Sequence, residues 1–245
     1  MVISAMWRFA AAELGLREDQ VHVWRAALDV NPAVLRQLDA ALTRDERSQA
    51  ARFFFPRDRN RFIAARAVLR GLLGRYLDLG PCDFELRYGP YRKPYLGPKE
   101  GAFPIRFKLS HSAGMAVFAF TYGREAGVDL EPIRTDFARD EIAEAHFSAR
   151  ELAELRALPP PLRAEGFFLC WTRKEAYVKA QGAGLQIPLT SFSVSLTPGH
   201  PEELQSADSA RWKMSSFRPA PDHVGTVVAE GKNWHLHQWQ WQFSG

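Results

Sequence analysis

An acidic pair, Asp129 and Glu131, stands two residues apart in the segment GVDLE at positions 127–131. If this segment is a strand, both side chains point to the same face, with about 6.6 Å between their Cα atoms. Two carboxylates that converge without a neighbouring histidine favour a hard cation, Mg²⁺ or Mn²⁺, over zinc. Spacing alone favours a solvated acidic pair over a cation site, because such pairs are common where strands end.

A second group of chemically active side chains falls in the segment WTRKEAYVK at positions 171–179. On a helix, Trp171, Glu175 and Lys179 lie at i, i+4 and i+8 and share one face, which combines an apolar wall, a carboxylate and a cation. Such a face suits a ligand. The alternative is a Glu175–Lys179 helix pair worth roughly 0.3 to 0.5 kcal/mol with Trp171 in the core, and the pattern fits both interpretations.

Positive charge is concentrated between Arg36 and Arg75, where ten arginines face four acidic residues. This local excess of six charges attracts anions, and the candidates are phosphates of a small ligand, an acidic protein surface or nucleic acid. For most of these arginines, a solvated helix face is the preferred interpretation.

Composition excludes several classes of protein. With 245 residues, 46% of them hydrophobic, the chain can bury a large core. Cys82 and Cys170 stand apart without a CxxC pair, which argues against a disulfide framework or a structural zinc site. No apolar run approaches the roughly 20 residues that a membrane helix needs. We therefore expect a cytoplasmic protein that is neither exported nor membrane-spanning.

Hydrophobic periodicity predicts an alternation of strands and helices. Strands are predicted at 21–28, 107–110, 115–122, 191–196, 224–229 and 234–242. Helices are predicted at 32–52, 57–77, 137–157 and, after the proline run 159–161, at 165–181.

The order of these elements indicates an internal duplication. Each half of the chain shows a long helix followed by strands, and GMAVFAF at 114–120 has a counterpart in VGTVVAE at 224–230. We predict an α+β, pseudo-duplicated fold with two similar halves, each a long helix packed on a small antiparallel sheet. The N-terminal half, 1–124, carries the basic segment and the C-terminal half, 125–245, carries both acidic segments. A cleft between the halves is the expected ligand site.

Taken together, the two acidic segments resemble the signatures of the Sfp-like, two-half type of phosphopantetheinyl transferase. The second segment matches through Trp171, Lys174, Glu175, Ala176 and Lys179. Further similar stretches are SAREL (148–152), GAGLQIPLTSFSV (182–194), RYGPYRKPYL (87–96), FKLSHSAGMAVFAF (107–120) and ARFFFPRDRNRFIAARAVLR (51–70). The similarity runs from about residue 21 to 230.

The match has two departures from the family pattern. Extra residues separate Gly89 from Lys93 in the proline loop, and Lys108 and Leu109 stand where the family often has asparagine and isoleucine.

The resemblance implies a transfer reaction. The phosphopantetheine arm of coenzyme A, the substrate, would move to a serine of an acidic apo acyl or peptidyl carrier protein, and adenosine 3′,5′-bisphosphate would be released. Breaking a pyrophosphate requires charge stabilisation on the phosphates and an oriented serine hydroxyl.

The resemblance also implies which residues carry out this reaction. Mg²⁺, or Mn²⁺, would be held by Asp129, Glu131 and Glu175, with Lys179 as a catalytic cation. Coenzyme A would be bound by Arg61 at its 3′-phosphate and elsewhere by Arg47, Arg66, Lys93, Ser110, His111, Lys174 and Lys179.

The general base is predicted to be Glu151 or Glu175. Glu151 stands in FSARE at 147–151, which resembles the family's FS-x-x-E element. A carboxylate committed to a metal is a poor base, which favours Glu151. The alternative is that Ser148 caps a helix and Glu151 completes its capping box.

Three rival functions would each use part of this sequence. A Ser110–His111 hydrolase dyad is excluded, because neighbours on a strand point to opposite faces and no GxSxG elbow is present. A nucleic-acid-binding module leaves the acidic segments unexplained, and a non-catalytic carrier-binding relative is disfavoured by the intact acidic and lysine positions. We expect a monomer that binds neither nucleic acid nor membrane; the sequence does not indicate which carrier is modified.

The last predicted strand has its own pattern. His235, His237, Trp239 and Trp241 share one of its faces. An aromatic core or surface strand explains this better than a metal site.

Overall fold

The computed structural model describes residues 7–9, 14–89, 94–97, 104–135, 139–182 and 187–243. Six α-helices occur in these ranges: α1 Pro32–Ala40, α2 Arg44–Ala50, α3 Pro56–Leu77, α4 Arg139–His146, α5 Ala149–Ala157 and α6 Pro160–Gln181. The strands in the same ranges are β1 Arg8–Phe9, β2 Gln20–Ala27, β3 Leu86–Tyr88, β4 Pro94–Leu96, β5 Ile105–Ser112, β6 Met115–Tyr122, β7 Ala126–Pro132, β8 Ser193–Val194, β9 Leu204–Gln205, β10 Trp212–Phe217, β11 His223–Glu230 and β12 His235–Gln240.

The two halves repeat one topology, which confirms the predicted α+β pseudo-duplication. Each has a first strand (β2 or β7), a 22-residue helix (α3 or α6) and a pair of antiparallel strands (β5 with β6, or β10 with β11). In each, the second strand of that pair lies in the centre, so the orders are β2-β6-β5 and β7-β11-β10. The matched sequences GMAVFAF and VGTVVAE correspond to these central strands, β6 and β11.

The layers follow from the alternation of side chains along the strands. In β2, Trp24 faces α3 together with Phe118 and Phe120 of β6. Val21 and Val23 face the other way and pack on the C-terminal sheet. Because α6 covers the outer face of that second sheet, the order is helix, sheet, sheet, helix.

Helix starts explain the largest differences from the predicted boundaries. The proline run 159–161 was predicted to precede a helix at 165, but α6 begins at Pro160. A proline in the first turn lacks only a backbone N–H that would have no intrahelical partner, so it can begin a helix.

Two predicted helices are each divided by a new N-terminal cap. Residues 32–52 form α1 and α2, separated where Thr43 and Glu46 make a capping box. The block 137–157 forms α4 and α5, separated where Ser148 and Glu151 make another. The predicted strand 191–196 is reduced to β8, and β10 was not predicted.

The final strand crosses between the halves. β12 pairs in parallel with β2, so residues 235–240 extend the N-terminal sheet although they follow the C-terminal half in sequence. Trp239 and Trp241 pack beside Trp24, and the ring of His237 lies 5.3 Å from that of His22 in a tilted arrangement. An aromatic packing strand describes this segment. None of the helices in the described ranges could serve as a membrane span, given its length and polarity.

Candidate active site

The centre of the site lies where α6 rests on β7, and Gly127 makes that contact possible. A Cβ atom at Gly127 would stand 2.1 Å from the carbonyl oxygen of Ala176 and 2.3 Å from the amide nitrogen of Ala180. Only glycine lets the helix backbone approach this closely. The approach brings Lys179 of α6 against Asp129 of β7.

Asp129 is the most constrained side chain at this junction. Its carboxylate is 3% exposed, and Oδ1 accepts hydrogen bonds from Lys179 Nζ at 2.5 Å and Ser110 Oγ at 3.0 Å. Its other oxygen, Oδ2, is buried and has no hydrogen-bond partner within the described part of the chain. A buried carboxylate oxygen without a donor is costly unless a ligand satisfies it.

Glu131 lies on the same side of β7, as the two-residue spacing predicts. Its Oε2 accepts a hydrogen bond from Ser112 Oγ at 2.9 Å, just as Asp129 accepts one from Ser110. Burial raises the pKa of Glu131, and the adjacent charge of Asp129 raises it further. Two carboxylates crowded in this way are stabilised by any cation that enters between them.

Glu175 lies on α6 one turn before Lys179. Trp171, Glu175 and Lys179 are all partly exposed, whereas Lys174 and Val178 between them are buried. The three therefore share the solvent-accessible face that the helical spacing predicts. The ring of Trp171 packs at 5.6 Å from His146 of α4.

A cleft of about 410 Å³ lies beside this junction, between α3 and the β5–β6 turn. Arg61 lines it and pairs with Asp29 through Nε–Oδ1 at 2.7 Å and Nη2–Oδ2 at 2.6 Å. This two-point bond lowers the pKa of Asp29 and fixes the guanidinium. Gly114, at φ +84°, gives the pair room, because a Cβ there would stand 2.5 Å from Asp29 Oδ2.

Arg66 lines the same cleft and has an unused donor. Its side chain is 9% exposed and stands over the rings of Phe62 and Tyr88. Glu46 approaches its Nε only to 3.7 Å, and the buried Nη1 has no hydrogen-bond partner within the described residues. Burial lowers the pKa of Arg66, so an anion in the cleft would be a favourable partner.

His111 connects the two ends of the site. It lines the cleft from β5, between Ser110 and Ser112, which bond the β7 carboxylates. Desolvation lowers the pKa of His111 although the residue is exposed at the surface, and the positive charges of Lys179 and Arg61 act in the same direction.

The structure places three of the predicted site residues elsewhere, and the interpretation of each is corrected. Arg47 donates to the carbonyls of Leu42 at 2.6 Å and Asp39 at 3.2 Å, so it closes the end of α1 instead of lining the cleft. Lys174 and Glu151 are 0% exposed and form a buried ion pair.

The Glu151–Lys174 pair is fully occupied by structural contacts. Lys174 Nζ donates to Glu151 Oε1 at 2.7 Å and to the carbonyl of Phe192 at 2.8 Å. Glu151 also accepts from the amides of Val194 and Ser148, both at 2.7 Å. Because both side chains are buried, neither is accessible to a ligand in the cleft. Glu151 instead completes the capping box of α5 with Ser148, which was the alternative to its role as a base. Lys93 lies outside the described residues.

Sequence reasoning missed two residues of the site. Ser112 had a usable signal, because it stands two residues after Ser110 on a strand and must share its face. Asp29 had none, since its pairing with Arg61 across 32 positions depends on the tertiary fold.

A divalent cation fits the donors, although Lys179 now neutralises Asp129. No group of three or more His, Cys, Asp or Glu side chains stands at ligating distance within the described ranges. Oδ2 of Asp129, beside Glu131, is nevertheless buried without a hydrogen-bond partner within the described residues, so it can serve as a metal ligand. An all-carboxylate set suits Mg²⁺ or Mn²⁺.

Comparisons with known proteins converge on one family. The model of the 4′-phosphopantetheinyl transferase superfamily matches residues 125–228, and that of the 4′-phosphopantetheinyl transferase N-terminal region matches 29–122. The 4′-phosphopantetheinyl transferase HetI of Nostoc is 37% identical over 235 residues, covering 96% of this chain and 98% of the relative. The 4′-phosphopantetheinyl transferase Sfp of Bacillus subtilis is 29% identical over 165 residues, 67% and 71% of the two chains. A solved ACPS–CoA complex of Chronobacterium ammoniagenes aligns over 44% of this chain and 98% of its own, at 19% identity and a TM-score of 0.34.

Proposed function

Since this chain belongs to the 4′-phosphopantetheinyl transferase superfamily, we propose that it transfers 4′-phosphopantetheine from coenzyme A to a serine of an acidic apo carrier protein. We further propose that the reaction depends on Mg²⁺ and releases adenosine 3′,5′-bisphosphate. The observation that carries this proposal is Asp129, which is buried with one oxygen held by Lys179 and Ser110 and the other unpartnered.

The metal would be held by Asp129 and Glu131, whereas Glu175 would contact it only through water, so that its carboxylate can act as a base. When bound, Mg²⁺ would neutralise charge on the pyrophosphate as the bond to the phosphopantetheine arm breaks. Lys179 and Ser110 hold one oxygen of Asp129, which orients the carboxylate. Mn²⁺ has the same preference for oxygen donors and should substitute.

Coenzyme A would lie along the cleft from Arg61 towards Asp129. Arg61 is fixed by Asp29 at one end, where it can bind the 3′-phosphate. Arg66 offers its unpartnered Nη1 to the same end, and His111 stands between that end and Lys179. Lys179 can shift from Asp129 to a phosphate oxygen, since one ammonium group has three donors.

The proton of the carrier serine needs an acceptor, and we assign this role to Glu175. Glu151 is excluded by its burial and by the donors that occupy both of its oxygens. Glu175 lies on the partly exposed face of α6, one turn from Lys179. A carboxylate in that position can reach an incoming hydroxyl directly or through one water.

The proposal is tested by incubating the protein with coenzyme A, Mg²⁺ and a panel of apo carriers, followed by intact mass measurement. A carrier that gains the mass of one phosphopantetheine arm supports transfer. Loss of the product with EDTA and its return with excess Mg²⁺ support the metal requirement. A chain that modifies none of the fatty-acid, polyketide or peptide carriers contradicts the proposed activity.

A further inference from the structure

We propose that Ser112 is a positioning residue for the metal site, holding Glu131 in the orientation that binds the cation. This inference rests on the proposed function. The hydroxyl of Ser112 donates to Glu131 Oε2 at 2.9 Å. Ser112 belongs to the N-terminal half, whereas Glu131 belongs to the C-terminal half, so the contact crosses between the two.

The topology explains why a side chain must make this connection. β5 is the edge of the five-stranded sheet and β7 is the edge of the three-stranded sheet, and the two edges run next to each other. Ser110 and Ser112 of β5 bond Asp129 and Glu131 of β7 in the same order along both strands. The hydroxyls thus set the register of one half against the other at the site itself.

The far side of Ser112 is also fixed. The strand turns immediately after it, with Ala113 at φ +48° and Gly114 at φ +84°. Gly114 lies against the Arg61–Asp29 pair. The same hairpin tip therefore connects the proposed 3′-phosphate end of the cleft to the carboxylates, and Ser112 is the residue through which it reaches them.

Removing the hydroxyl should free Glu131 to rotate. A partly buried carboxylate has several orientations, and a donor on one oxygen selects among them before the cation arrives. Partners that orient a metal ligand in this way typically change metal affinity about 10- to 100-fold when they are removed.

The experiment measures Mn²⁺ binding by the loss of the free-ion EPR signal, with coenzyme A present and no carrier, so that no turnover occurs. Ser112→Ala should weaken binding about 10-fold or more, and so should Ser112→Cys, which keeps the shape of serine but is slightly larger and a poorer donor. Ser112→Thr keeps the hydroxyl and should stay within about 3-fold of the native protein. Ser48→Ala is the control, because among the described residues the exposed Ser48 hydroxyl bonds the carbonyl of Arg44 in its own helix and no other group.

A second readout separates positioning from a structural role. With saturating Mg²⁺, turnover of Ser112→Ala should approach the native value, while the Mg²⁺ concentration for half-maximal turnover rises by the same factor as the Mn²⁺ dissociation constant. Native Mn²⁺ affinity in Ser112→Ala overturns the inference, as does equal weakening in Ser112→Thr. If the native protein binds no Mn²⁺ and modifies no carrier, the proposed function itself fails, which is a distinct outcome.

Discussion

Replacing Glu151 by glutamine should destabilise the protein strongly without acting on the chemical step. Glu151 accepts two hydrogen bonds from backbone amides, of Ser148 and Val194, and pairs with the ammonium of Lys174. Val194 is buried, Ser148 is partly buried, and both ionic side chains are 0% exposed. Both oxygens of Glu151 accept hydrogen bonds from N–H groups. Glutamine keeps one acceptor oxygen, but its NH₂ group would place a donor against one of these N–H donors.

The magnitude follows from the charge left behind. Breaking a buried ion pair by removing one partner costs about 3 to 5 kcal/mol, because the remaining charge stays buried without compensation. For a chain of this size, each kcal/mol lowers Tm by about 2 to 4 °C, so Glu151→Gln should melt roughly 6 to 20 °C lower. The paired change Glu151→Gln with Lys174→Met should recover part of this loss, because it removes the orphaned ammonium.

Thermal and denaturant unfolding measure this effect, and a carrier-transfer assay well below the melting temperature measures turnover per folded molecule. Glu144→Gln is the matched control, since the Glu144–Arg156 pair is more than half exposed and should contribute less than about 1 kcal/mol. Near-native stability of Glu151→Gln combined with turnover reduced 100-fold would refute this reasoning and make Glu151 the base.

Four further outcomes are expected. Asp129→Ala should lower kcat/KM at least ~10²-fold and abolish Mn²⁺ binding with little change in Tm, and near-native turnover would remove Asp129 from the site. Arg61→Ala should erase a preference for coenzyme A over its 3′-dephospho form of roughly 10- to 100-fold, measured as the ratio of the two dissociation constants. Gly127→Ala should destabilise the fold by about 1 to 3 kcal/mol in denaturant unfolding by forcing α6 off β7, whereas Gly15→Ala, with no atom within 4 Å of the added Cβ, should be neutral. Burial lowers the pKa of His22 to about 4, so the unfolded chain binds a proton that the folded chain excludes between that value and about 6.5. The protonation of His22 should therefore lower stability by about 2 kcal/mol from pH 7 to pH 5, and His22→Gln should remove that part of the slope.

The fold was predictable where periodicity was long and uninterrupted. α3 matched within one residue because apolar side chains recur along its whole length, and β6 matched because alternating residues face two different cores. The prediction failed at polar interruptions. β10 has the sequence WKMSSF, in which Trp212, Met214 and Phe217 are buried but two serines break the alternation.

The site was predictable from spacing where a single element carried the residues. Asp129 and Glu131 share a strand face, and Glu175 and Lys179 share a helix face, as their periods require.

Lys174 shows why the remaining assignments could not follow from a motif. It is adjacent to Glu175 in the sequence, yet successive residues on a helix point about 100° apart. The two side chains therefore leave the helix in different directions, and here Lys174 is buried whereas Glu175 is partly exposed. Which one is buried depends on whether the packed side of α6 offers a counterion, and here that counterion is Glu151, 23 positions earlier. The motif therefore contains two residues with different surroundings: Glu175 lies on the partly exposed face of α6, whereas Lys174 binds Glu151 of α5 and the carbonyl of Phe192 on the packed side.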